Sequence, residues 1–125
     1  MKSIPIVCKT SSSIQAFKKA CENSSGEFLP VVLDSHDEII SYLKYELPEI
    51  KIFDFGDESL SPDNLMRVIH ADPWLLFGGI IAIVNNHQEK SGLERRRDPN
   101  ILMTLERNDF EQNAERLLRI LTQNK

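Results

Sequence analysis

The sequence predicts an α/β fold, a five-stranded parallel sheet with helices on both of its faces. Three observations carry that expectation. Short apolar runs alternate with segments whose apolar residues recur at helical spacing, an order that calls for strands laid parallel and connected by helices. One run, residues 80–84 (IIAIV), is apolar at every position, as a strand buried on both faces must be. With 125 residues and 41% hydrophobic composition, the chain suits one packed core, so residues 1–125 are expected to form a single domain.

The elements follow in order. Residues 4–8 (IPIVC) are a short apolar strand, and the hydroxyl-rich KTSSS after it offers caps for a helix. That helix carries Ile14, Phe17, Ala20 and Cys21 at helical spacing and stops at ENSSGE. Residues 28–34 (FLPVVLD) form the second strand; Pro30 suits an edge position, where a missing N–H is tolerated. Ser35 and Glu38 have capping-box spacing, and Ile39, Ile40, Leu43 and Leu47 form the buried stripe of the helix they open. Pro48 ends it, and the third strand, IKIFDF, leads to Asp54. Ser61-Pro62-Asp63-Asn64 starts a helix with a hydroxyl N-cap, proline in the first turn and an acid beside it, followed by Leu65, Met66, Val68 and Ile69 as its core face. After the turn signal ADPW and the central strand, residues 85–97 have almost no apolar periodicity, so any helix there is short and weakly anchored. Residues 100–105 are the last strand. Asn108 to Glu111 resembles a second capping box, and Phe110, Ala114, Leu117, Leu118 and Leu121 make one face of the final helix.

Charge and composition narrow the partners. There are 15 basic against 19 acidic residues, so nucleic acid has no general electrostatic reason to bind and a protein partner is expected. No apolar stretch is long enough to span a membrane and no signal-peptide layout opens the chain, so a cytoplasmic protein with no membrane association is expected. In that compartment Cys8 and Cys21 read as free thiols, and the sequon-like Asn23-Ser24-Ser25 carries no meaning.

In parallel sheets of this kind the ligand crevice lies at the carboxyl ends of the strands, where Asp54 sits. The stretch 48–54 (PEIKIFD) is similar to the pattern of the receiver domain of bacterial response regulators, the CheY-like family: proline, acid, four mostly apolar residues and the phosphorylated aspartate. The order and spacing of the other elements resemble the same family over essentially the full length. The resemblance implies a doubly wound, flavodoxin-like three-layer αβα fold with strand order 2-1-3-4-5. It also puts Asp54 at the phosphoacceptor position and implies a role in two-component signal transduction.

The resemblance breaks where the family's chemistry needs partners for that aspartate. Two acids after the first strand hold Mg²⁺ in the family; here Lys9 and Thr10 stand there, and the first acid in the chain is Glu22. Asn85 takes the place of the hydroxyl residue after the fourth strand. Glu106 falls where the family has its lysine, with Arg107 there if the register slips by one, and a glutamate would repel a phosphoryl group. Asp57 and Glu58 follow Asp54 closely but read as a solvated turn. Lys9, Thr10, Asp57, Asn85 and Glu106 therefore describe a degenerate pocket, and the chain is expected to be a pseudo-receiver, not an enzyme, acting through protein-protein contact. No cofactor or metal site is expected, with Mg²⁺ entering only if Asp54 is active. A protein partner or fused output domain is implied, with a homodimer as one form.

Two alternatives stay open: an active receiver phosphorylated on Asp54, and a phosphocysteine carrier using Cys8, whose place before a Ser/Thr-rich helix start resembles sugar-phosphotransferase IIB domains. Against the latter, the loop lacks glycine, and a small buried residue is the plainer role for Cys8. Cys21 reads as helix packing and Ser11 to Ser13 as helix capping. His36, His70 and His87 lack metal-ligand spacing and read as surface residues. Arg95, Arg96 and Arg97, the only basic run, fall beside the family's common partner face. Trp74 is expected in the core, as tryptophan is highly buried on average.

Overall fold

The computed structural model describes residues 2–123. The strands are β1 (Lys2–Val7), β2 (Phe28–Leu33), β3 (Ile50–Asp54), β4 (Gly79–Val84) and β5 (Ile101–Glu106). Between and after them lie α1 (Ser11–Glu22), α2 (His36–Glu46), a 3₁₀ turn at Glu58–Leu60, α3 (Pro62–His70), α4 (His87–Arg95), α5 (Arg107–Gln112) and α6 (Ala114–Gln123). The sheet is parallel throughout, in the order β2-β1-β3-β4-β5. Pro30 lies in β2, the edge strand expected of it.

Alternation along the strands sends side chains into two cores. Ile4, Ile6, Ile52, Ile81 and Ile83 pack under α1 and the last two helices with Phe17, Phe110, Leu117 and Leu118. Val7, Phe53 and Ile80 pack on the other face with Ile39, Leu43, Leu65 and Ile69 from α2 and α3. All six residues of β4 are buried, as a central parallel strand requires. The short helix expected after residue 85 is α4, held by one buried side chain, Leu93. None of the helices among the described residues is long and apolar enough to cross a membrane.

One local expectation holds and several are corrected. Ser35 does cap α2, accepting from the Glu38 N–H. Ser61 adopts a left-handed conformation, φ 49°, and its side chain makes no cap bond, so proline in the first turn and Asp63 carry that helix start. Val68 points outward, while Leu65, Met66 and Ile69 form the buried face of α3. Trp74 is 63% exposed: the turn after α3 spends Leu75 as its buried anchor, leaving the indole outside. The capping box at Asn108 does not form, because the helix begins two residues earlier than that box implies, at Arg107, with Glu106 in the N-cap position.

One irregularity positions the site. β4 and β5 pair Ile80 with Ile101 but Ile81 with Met103, so Leu102 is an extra residue in β5 and is 57% exposed. Downstream of that bulge every β5 residue sits one place later against β4, and Glu106 pairs with Val84. The next residue, Arg107, is thereby brought level with Asn85.

Candidate functional site

Asp54 ends β3, between β1 and β4, and is 1% exposed. A carboxylate this buried needs a counterion and hydrogen-bond donors. Arg107 supplies both: its Nη2 donates to Oδ1 at 2.8 Å and its Nη1 to Oδ2 at 3.0 Å, a two-pronged ion pair. The Gly56 N–H donates to Oδ1 at 2.9 Å, while the Cys8 thiol and the Thr10 hydroxyl each lie 3.4 Å from Oδ2. Burial works against the charge on Arg107, but the bonds and charge of Asp54 outweigh it, and the guanidinium is held above its ordinary pKa.

The remaining donors of Arg107 are also spent. Nε and Nη2 both donate to Asn85 Oδ1, at 3.1 and 2.8 Å, and Nη1 donates to Ser13 Oγ at 3.0 Å. The five N–H groups of a guanidinium thus meet Asp54 twice, Asn85 twice and Ser13 once. Asn85 completes its own set by donating through Nδ2 to the Gly56 carbonyl. Ser13 donates to Glu111 Oε2 at 2.6 Å, and Ser12 donates to the same oxygen at 2.7 Å. A polar chain therefore runs from β3 through the first residue of α5 to the start of α1 and back to α5.

Of the residues expected in the pocket, Thr10, Asn85 and Asp54 come together. Lys9 is exposed on the β1 loop and lies near enough to Asp57 to help lower its pKa. Asp57 turns away from Asp54 and accepts from the Ser59 N–H and hydroxyl, the largest cause of its lowered pKa. Glu106 is not the residue opposite Asp54; Arg107 is, because the β5 bulge produces the one-residue slip. The pocket therefore does contain a cation. The hydroxyl residues after β1 have partners beyond the helix: Thr10 is the N-cap residue of α1, and its hydroxyl faces Asp54 without bonding the helix. Ser13 is fully buried at the helical spacing of Phe17, and that inward phase was the available signal for its role.

Cys8 follows β1 and is fully buried, and burial first, then the charge of Asp54, pushes its thiol up to about 11. Such a thiol stays protonated and can donate to the carboxylate. Of the arginine run, Arg96 is paired with Asp63 of α3, the Arg95 Nε donates to the Ser91 carbonyl, and Arg97 adopts φ 50°; all three are exposed. His36 is half-buried against the Leu60 carbonyl, and His70 pairs with Asp98.

No protein-family model matches the sequence, and no curated protein matches it. Solved structures do resemble it. The phosphorylated cyanobacterial phytochrome response regulator RcpA superposes with a TM-score of 0.77 at 16% identity, over 99% of this chain and 96% of that one. A two-component response regulator from Legionella pneumophila gives 0.76 at 14% identity, over 98% and 99%. The Mn²⁺-bound form of response regulator Rcp1 gives 0.67 at 13%, over 92% and 90%.

A divalent cation of the kind bound by Rcp1 does not fit the residues here. Mg²⁺ and Mn²⁺ take oxygen ligands, several of them carboxylate, whereas both oxygens of Asp54 face a guanidinium and the neighbouring loop contributes Lys9. Among the described residues no three His, Cys, Asp or Glu side chains cluster as metal ligands. With the strand order, the strand-end aspartate and these superpositions together, the chain has the CheY-like, flavodoxin-like fold of response-regulator receiver domains.

Proposed function

We propose that residues 1–125 act as a single receiver-like signalling domain that works by protein-protein contact, without Mg²⁺-dependent phosphoryl transfer to Asp54. The observation that carries this reading is the two-pronged ion pair between Arg107 and Asp54. A carboxylate that attacks a phosphoryl group must present an oxygen in line and share a neutralising cation with the incoming oxygens. Here both oxygens are held by the chain's own cation, and leaving a buried charge such as Asp54 without its partner costs about 3–5 kcal/mol.

Output then passes to a protein partner or a fused output domain in the cytoplasm. The exposed arginines Arg95 and Arg97, beside the outer strand β5, are a suitable contact face; a homodimer through that face is one form of it. The phosphocysteine alternative is disfavoured by the burial of Cys8 and by its raised pKa, which removes the thiolate a phosphate carrier needs.

The test is to incubate the protein with Mg²⁺ and beryllofluoride, and separately with an acyl phosphate, following amide shifts and intact mass. No adduct and no shift of the Asp54, Asn85 or Arg107 amides is expected. A phosphoryl adduct on Asp54 at low donor concentration would overturn the reading, and one on Cys8 would make the chain a carrier instead.

A further inference from the structure

The segment held by the Asp54 network is unusual in its own right. α5 spans only Arg107–Gln112, six residues, and Asn113 separates it from α6 with φ −120° and ψ 22°. A helix that short has no stability of its own and stays formed only where it is docked. Its apolar anchor is a single buried residue, Phe110, whose ring lies 6.2 Å from that of Phe17 on α1. The other side-chain bonds of α5 to the body of the protein are polar. Arg107 reaches Asp54, Asn85 and Ser13, and Glu111 accepts from Ser12 and Ser13.

We infer that Asp54 is the anchor of a latch: its ion pair with Arg107, relayed through Ser13 to Glu111, holds α5 on α1, and α5 opens as a unit when that pair is broken. The inference rests on the proposed reading of Asp54 as a residue that binds Arg107 and not a phosphoryl group. It assigns the strand-end carboxylate a positioning role. The two ends of α5 meet at Ser13, which accepts from Arg107 and donates to Glu111, so loss of the Asp54 charge removes the ionic partner of Arg107 and loosens the hold on both ends. The ion pair is desolvated, with the Asp54 side chain fully buried and that of Arg107 16% exposed. It is therefore little screened and accounts for more of the hold than a surface pair would. Opening uncovers Phe110 and Phe17, so the charge at position 54 controls whether an apolar patch on α1 is covered.

Hydrogen exchange of the full chain tests this directly. Asp54→Asn keeps the shape of the side chain and the Gly56 bond but removes the charge. It is expected to speed exchange of the amides in residues 108–113 about a hundredfold, with the strand amides changed much less. Arg107→Ala is expected to give the same local pattern, together with a fall in Tm of about 10 °C and new binding of an apolar dye. The double variant should exchange no faster than the worse single one, since both break one interaction. Unchanged protection of α5 in Asp54→Asn, or equal acceleration of α5 and strands, would overturn the latch. Should Arg107→Ala not fold, Arg107→Met, which keeps most of the side-chain bulk without the charge, must still show the selective α5 effect for the inference to stand. The two ideas fail separately: phosphorylation of the parent Asp54 removes the functional reading, whereas unmodified Asp54 with a rigid α5 in both variants removes only the latch.

Discussion

Lys51 is buried and Arg107 partly buried, and their surroundings give these two cations opposite behaviour. Arg107 meets a carboxylate, so its charge is held. Lys51 sits 1% exposed within β3, and its Nζ donates to one carbonyl, that of Phe77; burial lowers its pKa to about 8. Below pH 8 the folded protein carries a buried ammonium with one neutral partner. Between about 8 and 10.5 the unfolded chain binds more protons at this lysine than the folded one, so its contribution to stability rises with pH across that window. Cys8 and Cys21, pushed up to about 11, act in the opposite sense above about pH 9, where unfolded thiols ionise first. The net rise is expected between pH 8 and 9, read as urea midpoints. Lys51→Met should flatten it and raise stability at pH 7 by about 1 kcal/mol or more, since replacing a poorly paired buried charge with an apolar chain is often stabilising. A loss of stability at pH 7 would mean that the bond to Phe77 outweighs the burial of the charge.

The turn between α3 and β4 and the helix after β4 show how differently two glycines are used. Gly78 has φ 83°, and a Cβ there would lie 2.4 Å from the Pro48 carbonyl oxygen and 2.6 Å from that of Glu49. Neither carbonyl can move freely, because Pro48 is buried and the Gly79 N–H is bonded to the Glu49 carbonyl. Gly78→Ala is therefore expected to cost about 2–3 kcal/mol, visible as a lower Tm. Gly92 lies inside α4 with open space around its Cα. Gly92→Ala should stabilise by about 0.5–1 kcal/mol through helix propensity alone, and it should slow amide exchange in α4. Both outcomes can be read from thermal melts of the two variants beside the parent.

At the scale of the whole molecule, one sheet separates two apolar layers, and the layer under α1 and α6 contains both cysteines. Cys8 and Cys21 are each 2% exposed or less, so neither can meet a reagent while that layer is packed. Their reaction with a thiol reagent is expected to be slow at pH 8 in native buffer. It should accelerate for both together as urea is raised through the unfolding transition, because one packing event exposes both. Peptide mass mapping after pulsed alkylation checks this: Cys8 labelled well before Cys21 would mean that the strand ends around Asp54 open independently of the core.

Much of this architecture was legible in local residues. Five strands and the helices after β1, β2 and β3 follow from apolar period and helix-start residues, the short helix after β4 has no such period, Pro30 marks an edge, and the apolar run ending in Asp54 locates the strand-end crevice. These properties are set within a few neighbours of each residue, where backbone sterics and side-chain alternation act. The partner of Asp54 is a different kind of fact. Whether Glu106 or Arg107 reaches the pocket depends on one extra residue, Leu102, in the register of β5 against β4, and both registers satisfy the local pattern equally. Trp74 similarly lies outside because Leu75 took the one buried place the turn offers. The sequence by itself determined the elements, their order and the carboxylate at the end of β3. Only the tertiary structure decided that this carboxylate faces a guanidinium, because that contact joins residues 53 positions apart whose meeting is set by strand register.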